Sequence, residues 1–203
     1  MVDGPLDVDL EAWDAWSPQE AAGRLQGVAA PWYVLGGWAL DLHLGRQTRE
    51  HDDLEIGVPA HRFAEVRSAL SGLEFVVVGD GRAWPLNDST LAAHRQTWVR
   101  EGAGAPWRLD VIRERWENDI WIYRREPSIR LTADDLIART SDAIPYARPE
   151  VVLLFKAKAV REKDEADLAA VLPALEPDRR AWLRAALELA HPGHRWLERL
   201  SAR

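Results

Sequence analysis

The alternation of apolar and polar positions divides the 203-residue chain into short segments. "SPQEAAGRLQGVA" reads as a helix with Ser17 at its N-cap and Pro18 at its first position. "PWYVLGG" predicts a short buried strand ending in glycines, and "WALDLHLG" a helix stopped by Gly45. "DLEIGVP" alternates as a strand does and ends at Pro59; "AHRFAEVRSALSG" is amphipathic at helical spacing. "EFVVVGDG" predicts a strand and turn, "TWVREGAGAPWRLDVIRE" two strands around a Gly-rich hairpin loop, and "DIWIYR" a further strand. Beyond "IPYARP" the pattern becomes helical in "EVVLLFKAKAVREKDEADLAAVLP" and again in "PDRRAWLRAALELAH". Strands and helices alternate early and helices dominate late. The expectation is an α/β (α+β) protein with a mixed β-sheet flanked by helices and a helical C-terminal part. Residues 1–148 would form the main domain, opening on an acidic segment, and residues 149–203 a helical region packed against it.

Composition narrows the class. No run approaches the roughly 18 apolar residues of a membrane span, and the N-terminal stretch has no basic leader. There is no cysteine, which removes disulfides, thiolate nucleophiles and Cys-ligated zinc and makes a cytoplasmic protein the expectation. A net charge of −7 argues against a broad nucleic-acid surface, which carries a basic excess, and suits a cationic or small neutral partner. Nothing in the sequence sets the oligomeric state.

The chemistry concentrates in "GGWALDLHLGRQTREHDDLEIGVP", residues 36–59. On a strand, residues i and i+2 share a face, so Asp53 and Glu55 should project together while Leu54 and Ile56 enter the core. Asp52 would point the other way. Two neighbouring carboxylates repel unless one is protonated or a cation lies between them, and such oxygen pairs suit Mg²⁺. Upstream, Gly36 and Gly37 stand where a strand meets a helix. Glycines there let a phosphate approach the backbone, and the helix start supplies free N–H groups. Trp38, next in line, is a candidate pocket wall, and Arg49 and His51 flank the loop before the acids.

A second concentration lies late in the chain. All three lysines, Lys156, Lys158 and Lys163, fall within eight residues, while arginine supplies the rest of the 26 basic side chains. A lysine is a compact charge suited to a triphosphate. On one continuous helix, Lys156 and Lys163 would share a face, with Lys163 paired to Asp167 at i,i+4. Lys156 is then the first candidate for a phosphate contact and Lys158 the second.

Gly-Gly at a strand–helix junction, Asp-x-Glu on the next strand and a third acid, Asp110 in "WRLDVIRE", together resemble the polymerase-β-like nucleotidyltransferase superfamily. The fuller string from Gly36 to Ile56 resembles its aminoglycoside 2''-adenylyltransferase branch, with Glu55 where many relatives have Asp. The resemblance implies transfer of a nucleoside monophosphate, AMP from ATP or its equivalent from another NTP, to a hydroxyl of a small, aminoglycoside-like, cationic acceptor. It implies two Mg²⁺ ions held by Asp53, Glu55 and Asp110, with Asp110 as general base. Nucleotide contacts would fall to Gly36, Gly37, Trp38, Arg49, Lys156 and Lys158. Two alternatives compete. One is a non-catalytic, antitoxin-like regulatory module on the same fold. The other is an HD-type metal phosphohydrolase built on His51-Asp52, which would need an all-helical setting. Should the resemblance mislead, Asp110 becomes a strand carboxylate paired with Arg108 or Arg113.

Overall fold

The computed structural model describes residues 4–201; residues 1–3 and 202–203, the outer ends of the two predicted regions, lie outside that range. The chain gathers into two compact units, residues 4–34 with 51–116 and residues 35–50 with 117–201. The expected boundary at residues 148/149 falls within the second unit, at the start of a helix.

The first unit is built on strands β1 (Tyr33–Val34), β2 (Glu55–Pro59), β3 (Glu74–Gly79), β4 (Arg82–Trp84), β5 (Gln96–Arg100) and β6 (Trp107–Glu114). They lie in the order β1-β2-β6-β5-β3-β4, and only β2 and β6 run parallel among these neighbours. The sheet is therefore mixed, as expected. Helix α1 (Pro18–Arg24) starts with a full capping box in which the Ser17 and Glu20 side chains bond each other's backbone N–H groups. The other helix of the pattern starts as a 3₁₀ turn at Ala60–Arg62 before becoming α3 (Phe63–Ala69), and a short helix α4 (Asp88–Ala93), capped by Asn87, precedes β5. After β3 the chain reverses through Asp80 and Gly81, both at positive φ, into β4, a strand the pattern does not disclose.

Tyr33 on β1 lies directly opposite Gly57 on β2, and a Cβ on Gly57 would come within 2.5 Å of the Tyr33 ring. The Tyr33 hydroxyl donates a 2.5 Å hydrogen bond to buried Glu114 at the end of β6, which locks the first three strands together. Val76, Ala83 and Trp107 form an apolar cluster. Leu6, Val8, Leu10 and Trp13 from the acidic N-terminal segment cover it. Among its described residues, Asp7, Asp9, Glu11 and Asp14 are exposed while the apolar positions serve the core.

The second unit opens with α2 (Gly36–Leu44), closed by Gly45 in the left-handed conformation. A two-residue strand, β7 (Trp116–Glu117), stands where the chain passes from the first unit into the second. There follow a hairpin of β8 (Ile120–Ile122) and β9 (Arg130–Thr132), the single-turn helix α5 (Ala133–Leu136), and a second hairpin of β10 (Ile137–Arg139) and β11 (Pro145–Ala147). Helices α6 (Pro149–Lys156), α7 (Glu162–Val171), α8 (Pro177–Ala190) and α9 (Trp196–Ser201) complete it. The single late helix read from "EVVLLFKAKAVREKDEADLAAVLP" is thus two, broken at 157–161, with no glycine or proline to mark the break. Helix α6 buries Val151–Leu154 on every side, and α8 packs Leu183, Ala186 and Leu187 inward. No helix among the described residues is long and apolar enough to cross a membrane.

Candidate active site

The acids of the first unit are set by register. In the parallel pair β2–β6, Glu55 is the direct neighbour of Asp110, so both side chains leave the same face of the sheet. Asp53 differs from expectation in one respect. The strand begins only at Glu55, and Asp53 lies exposed in the segment before it, so the shared face comes from the Glu55–Asp110 pairing rather than from alternation along one strand. Leu54 and Ile56 are fully buried as expected, and the Leu54 carbonyl accepts from the Asp110 N–H at 2.8 Å, fastening the two acid-bearing backbones.

Asp110 is the central group. It is 2% exposed; its Oδ2 accepts from the Gln96 side chain at 2.6 Å, and its Oδ1 has no hydrogen-bond partner. Neither arginine is its partner: Arg108 pairs with Asp14 and Glu101, and Arg113 bonds Thr97 Oγ1 and two backbone carbonyls. Burial first, then the charge on Glu55 and more weakly that on Asp53, push the Asp110 carboxyl well above the usual carboxylate range. A buried oxygen without a hydrogen-bond partner, under the field of two further acids, suits a proton or a hard cation.

Among the described residues, no group of three or more His, Asp or Glu side chains closes around a metal-sized space. Mg²⁺ does not require one, because it is commonly held by one or two carboxylates and completes its octahedron with water and substrate phosphate. The donor set Glu55 and Asp110, all oxygen with one oxygen unpaired, fits that mode. His51 and Asp52 sit in the loop leading to β2, not on a helix, which removes the helical setting the phosphohydrolase alternative needs.

In the second unit, Gly36 opens α2 at φ +62°, a backbone conformation that favours glycine, and Leu35 before it offers no side-chain cap. The first N–H groups of α2 thus receive no side-chain cap from that residue. Gly37 and Trp38 follow in the first turn, both half-buried. Buried Asp41 accepts from the Thr48 N–H at 3.1 Å and from its hydroxyl at 2.5 Å, fixing the loop that carries Arg49.

Lys156 and Lys163 do not share a helix face, since they stand on α6 and α7. The Lys156 side chain is only 8% exposed and donates to Asp164 at 2.8 Å. Its ammonium also lies 2.9 Å from Asp167 Oδ2, a charge contact without hydrogen-bond alignment. Asp167, expected beside Lys163, instead meets Lys156 and Arg49, whose Nε lies 3.3 Å from it. Burial pushes the Asp164 carboxyl up, but hydrogen bonds from Arg161 and Lys156 outweigh it and hold the group below the usual range. Lys158 is exposed in the turn between α6 and α7. Gln96, Asp41, Asp164 and Asp167 escape a reading of the sequence because only strand register and helix packing show what they touch.

Residues 19–93 match the family model described as aminoglycoside-2''-adenylyltransferase. A 2''-aminoglycoside nucleotidyltransferase of Klebsiella pneumoniae is 42% identical over 115 residues, covering 46% of this chain and 63% of the relative. One from Escherichia coli is 29% identical with the same coverage. The chain thus spans 63% of the length of the curated relatives it matches. Among solved structures, ANT(2'')-Ia in complex with adenylyl-2''-tobramycin superposes with a TM-score of 0.57 at 17% identity, over 84% of this chain and 94% of that one. The lincomycin-bound lincosamide antibiotic adenylyltransferase LnuA gives 0.53 at 19% identity, over 76% and 93%. At such identity the structures establish a common fold, and the sequence matches make this part of the chain similar to the aminoglycoside 2''-adenylyltransferases.

Proposed function

We propose that the protein transfers a nucleoside monophosphate, AMP from ATP, to a hydroxyl of a small cationic acceptor of the aminoglycoside class. The observation that carries this reading is the buried, unpartnered Oδ1 of Asp110 beside Glu55 on the neighbouring parallel strand. Glu55 and Asp110, with Asp53 at the approach, would hold Mg²⁺, which when bound supplies positive charge against the α-phosphate and the departing pyrophosphate.

This chain's own groups do the rest. Gln96 fixes Asp110 through Oδ2 and leaves Oδ1 to accept the proton of the acceptor hydroxyl. The raised proton affinity of Asp110 makes it a stronger base than an exposed aspartate. Gly36 and Gly37, with Trp38 beside them, would receive the nucleotide phosphates at the start of α2. Arg49, oriented by Asp167 and by its own bond to the Glu50 carbonyl at 2.9 Å, and Lys158, exposed in its turn, would be the cations for the nucleotide. Lys156 would act on the nucleotide through Asp167 and Arg49. The acidity of the chain as a whole suits a cationic acceptor.

Incubation with Mg²⁺, each of the four NTPs and a panel of aminoglycosides and lincosamides, followed by pyrophosphate release and product mass, tests the reading. ATP-dependent gain of one nucleotidyl group on an aminoglycoside is expected. Nucleotide binding with no product on any acceptor would favour the regulatory alternative.

A further inference from the structure

Arg113 on β6 is 7% exposed, yet among the described residues no carboxylate pairs with it. Its guanidinium donates to Thr97 Oγ1 at 3.2 Å, the Leu91 carbonyl at 2.6 Å and the His94 carbonyl at 2.5 Å, and lies 5.5 Å from the Phe63 ring centroid. Three acceptors satisfy three of the five N–H groups a guanidinium carries, and all three are neutral. A buried charge ordinarily has a counter-charge, because neutral dipoles only partly offset the cost of removing it from water. Here burial first and then neighbouring Arg95 make the cation less favourable.

This arginine opens onto a cavity of about 330 Å³ within the first unit, lined also by His61, His94, Arg95, Glu114 and Arg115. Glu114 supplies one negative charge, and it already accepts from Tyr33. Three arginines against one carboxylate is a local cationic excess in a chain whose net charge is −7. The cavity lies at the Pro59–Glu114 end of the β2–β6 pair, whereas Glu55 and Asp110 lie four register steps away, roughly 13 Å at a rise of about 3.3 Å per residue. The two sites are distinct in position and opposite in charge.

We propose that this cavity binds a phosphate-class oxyanion, either free or carried on a small molecule, with Arg113 and Arg95 as its principal donors. Arginine's planar fork matches the oxygen geometry of phosphate, and the volume falls at the lower end of small-molecule pockets, about 300–1,000 Å³. The proposal stands apart from nucleotidyl transfer and is tested without it.

The experiment is calorimetric titration of the whole chain, without Mg²⁺ or NTP, using inorganic phosphate in one arm and AMP in the other. Variants Arg95→Glu and Asp110→Asn are titrated alongside, with thermal melts of each to confirm folding. Saturable binding that Arg95→Glu weakens about ten- to hundredfold, the worth of a charged hydrogen bond, and that Asp110→Asn leaves in place, supports the proposal. Phosphate and AMP binding alike indicates free anion recognition, and AMP alone a carried phosphate. Absence of saturable binding, or binding abolished by Asp110→Asn and untouched by Arg95→Glu, overturns it. A folded Arg113→Lys variant should retain weakened binding, because charge persists while the fork geometry is lost.

Discussion

Asp110 carries a cost that the fold accepts. Its folded-state proton affinity exceeds that of an unfolded aspartate, first through burial and then through Glu55. Such a group lends its stability below the ordinary carboxylate pKa and loses it as pH rises through the raised value. Asp110→Asn removes the buried charge and keeps a side chain that Gln96 can still bond. The variant should therefore melt a few degrees higher than wild type at neutral pH, about 2–4 °C for each kcal/mol regained in a chain of this size, and the gap should close on acidification. Melts across pH check this, and a variant that melts lower at neutral pH would show that the charge is compensated. Lys156 is the opposite case. Lys156→Ala removes one of two cations from each of the buried carboxylates Asp164 and Asp167, leaving Arg161 and Arg49 to hold them, so a loss of about 1.5–3 kcal/mol in urea unfolding is expected, whereas exposed Lys163→Ala should stay within about 0.5 kcal/mol. Unchanged stability with lost NTP affinity in Lys156→Ala would instead make it a direct phosphate ligand. The lysine cluster stood out in the sequence, but its burial and its two carboxylate neighbours did not, because both depend on how α6 and α7 turn against each other.

At the scale of elements, local chemistry was legible where one residue decides the outcome. Ser17, Pro18 and Glu20 announce α1, Gly45 ends α2, and the Gly-rich loop joins β5 to β6. What stayed hidden needs a partner elsewhere in the chain. The break at 157–161 carries no helix-breaking residue, and β10 and β11 are three-residue strands that exist through their mutual pairing. The in-register meeting of Glu55 and Asp110 follows from a parallel pairing across more than fifty residues, which no local pattern encodes. Gly57 shows the same dependence. Its missing side chain makes room for the Tyr33 ring and hence for the Tyr33–Glu114 bond that ties β1 to β6. Gly57→Ala should destabilise the fold by about 1–3 kcal/mol as an overpacking change, and Tyr33→Phe should relieve little of it because the ring remains. Unfolding midpoints of the single and double variants measure both effects. Full recovery in the double variant would place the strain in the hydroxyl rather than the ring.

For the whole molecule, one unit carries a sheet that presents Glu55 and Asp110 together, the other a helix that starts on Gly36 with no side-chain cap from Leu35, and the relatives of similar sequence are named 2''-aminoglycoside nucleotidyltransferases. The separation of Asp110 from Arg108 and Arg113 is the structural ground for proposing that it performs chemistry rather than merely stabilising strands. The most direct measurement takes wild type and Asp110→Asn, determines ATP affinity for each, and follows single-turnover transfer to an aminoglycoside accepted by the wild type. A correctly folded variant is expected whose ATP affinity changes little, because Asp53 and Glu55 remain to hold the nucleotide's Mg²⁺, while its transfer rate falls by about 10²–10⁴-fold, the usual loss with a general base. A variant that transfers at the wild-type rate would contradict that expectation.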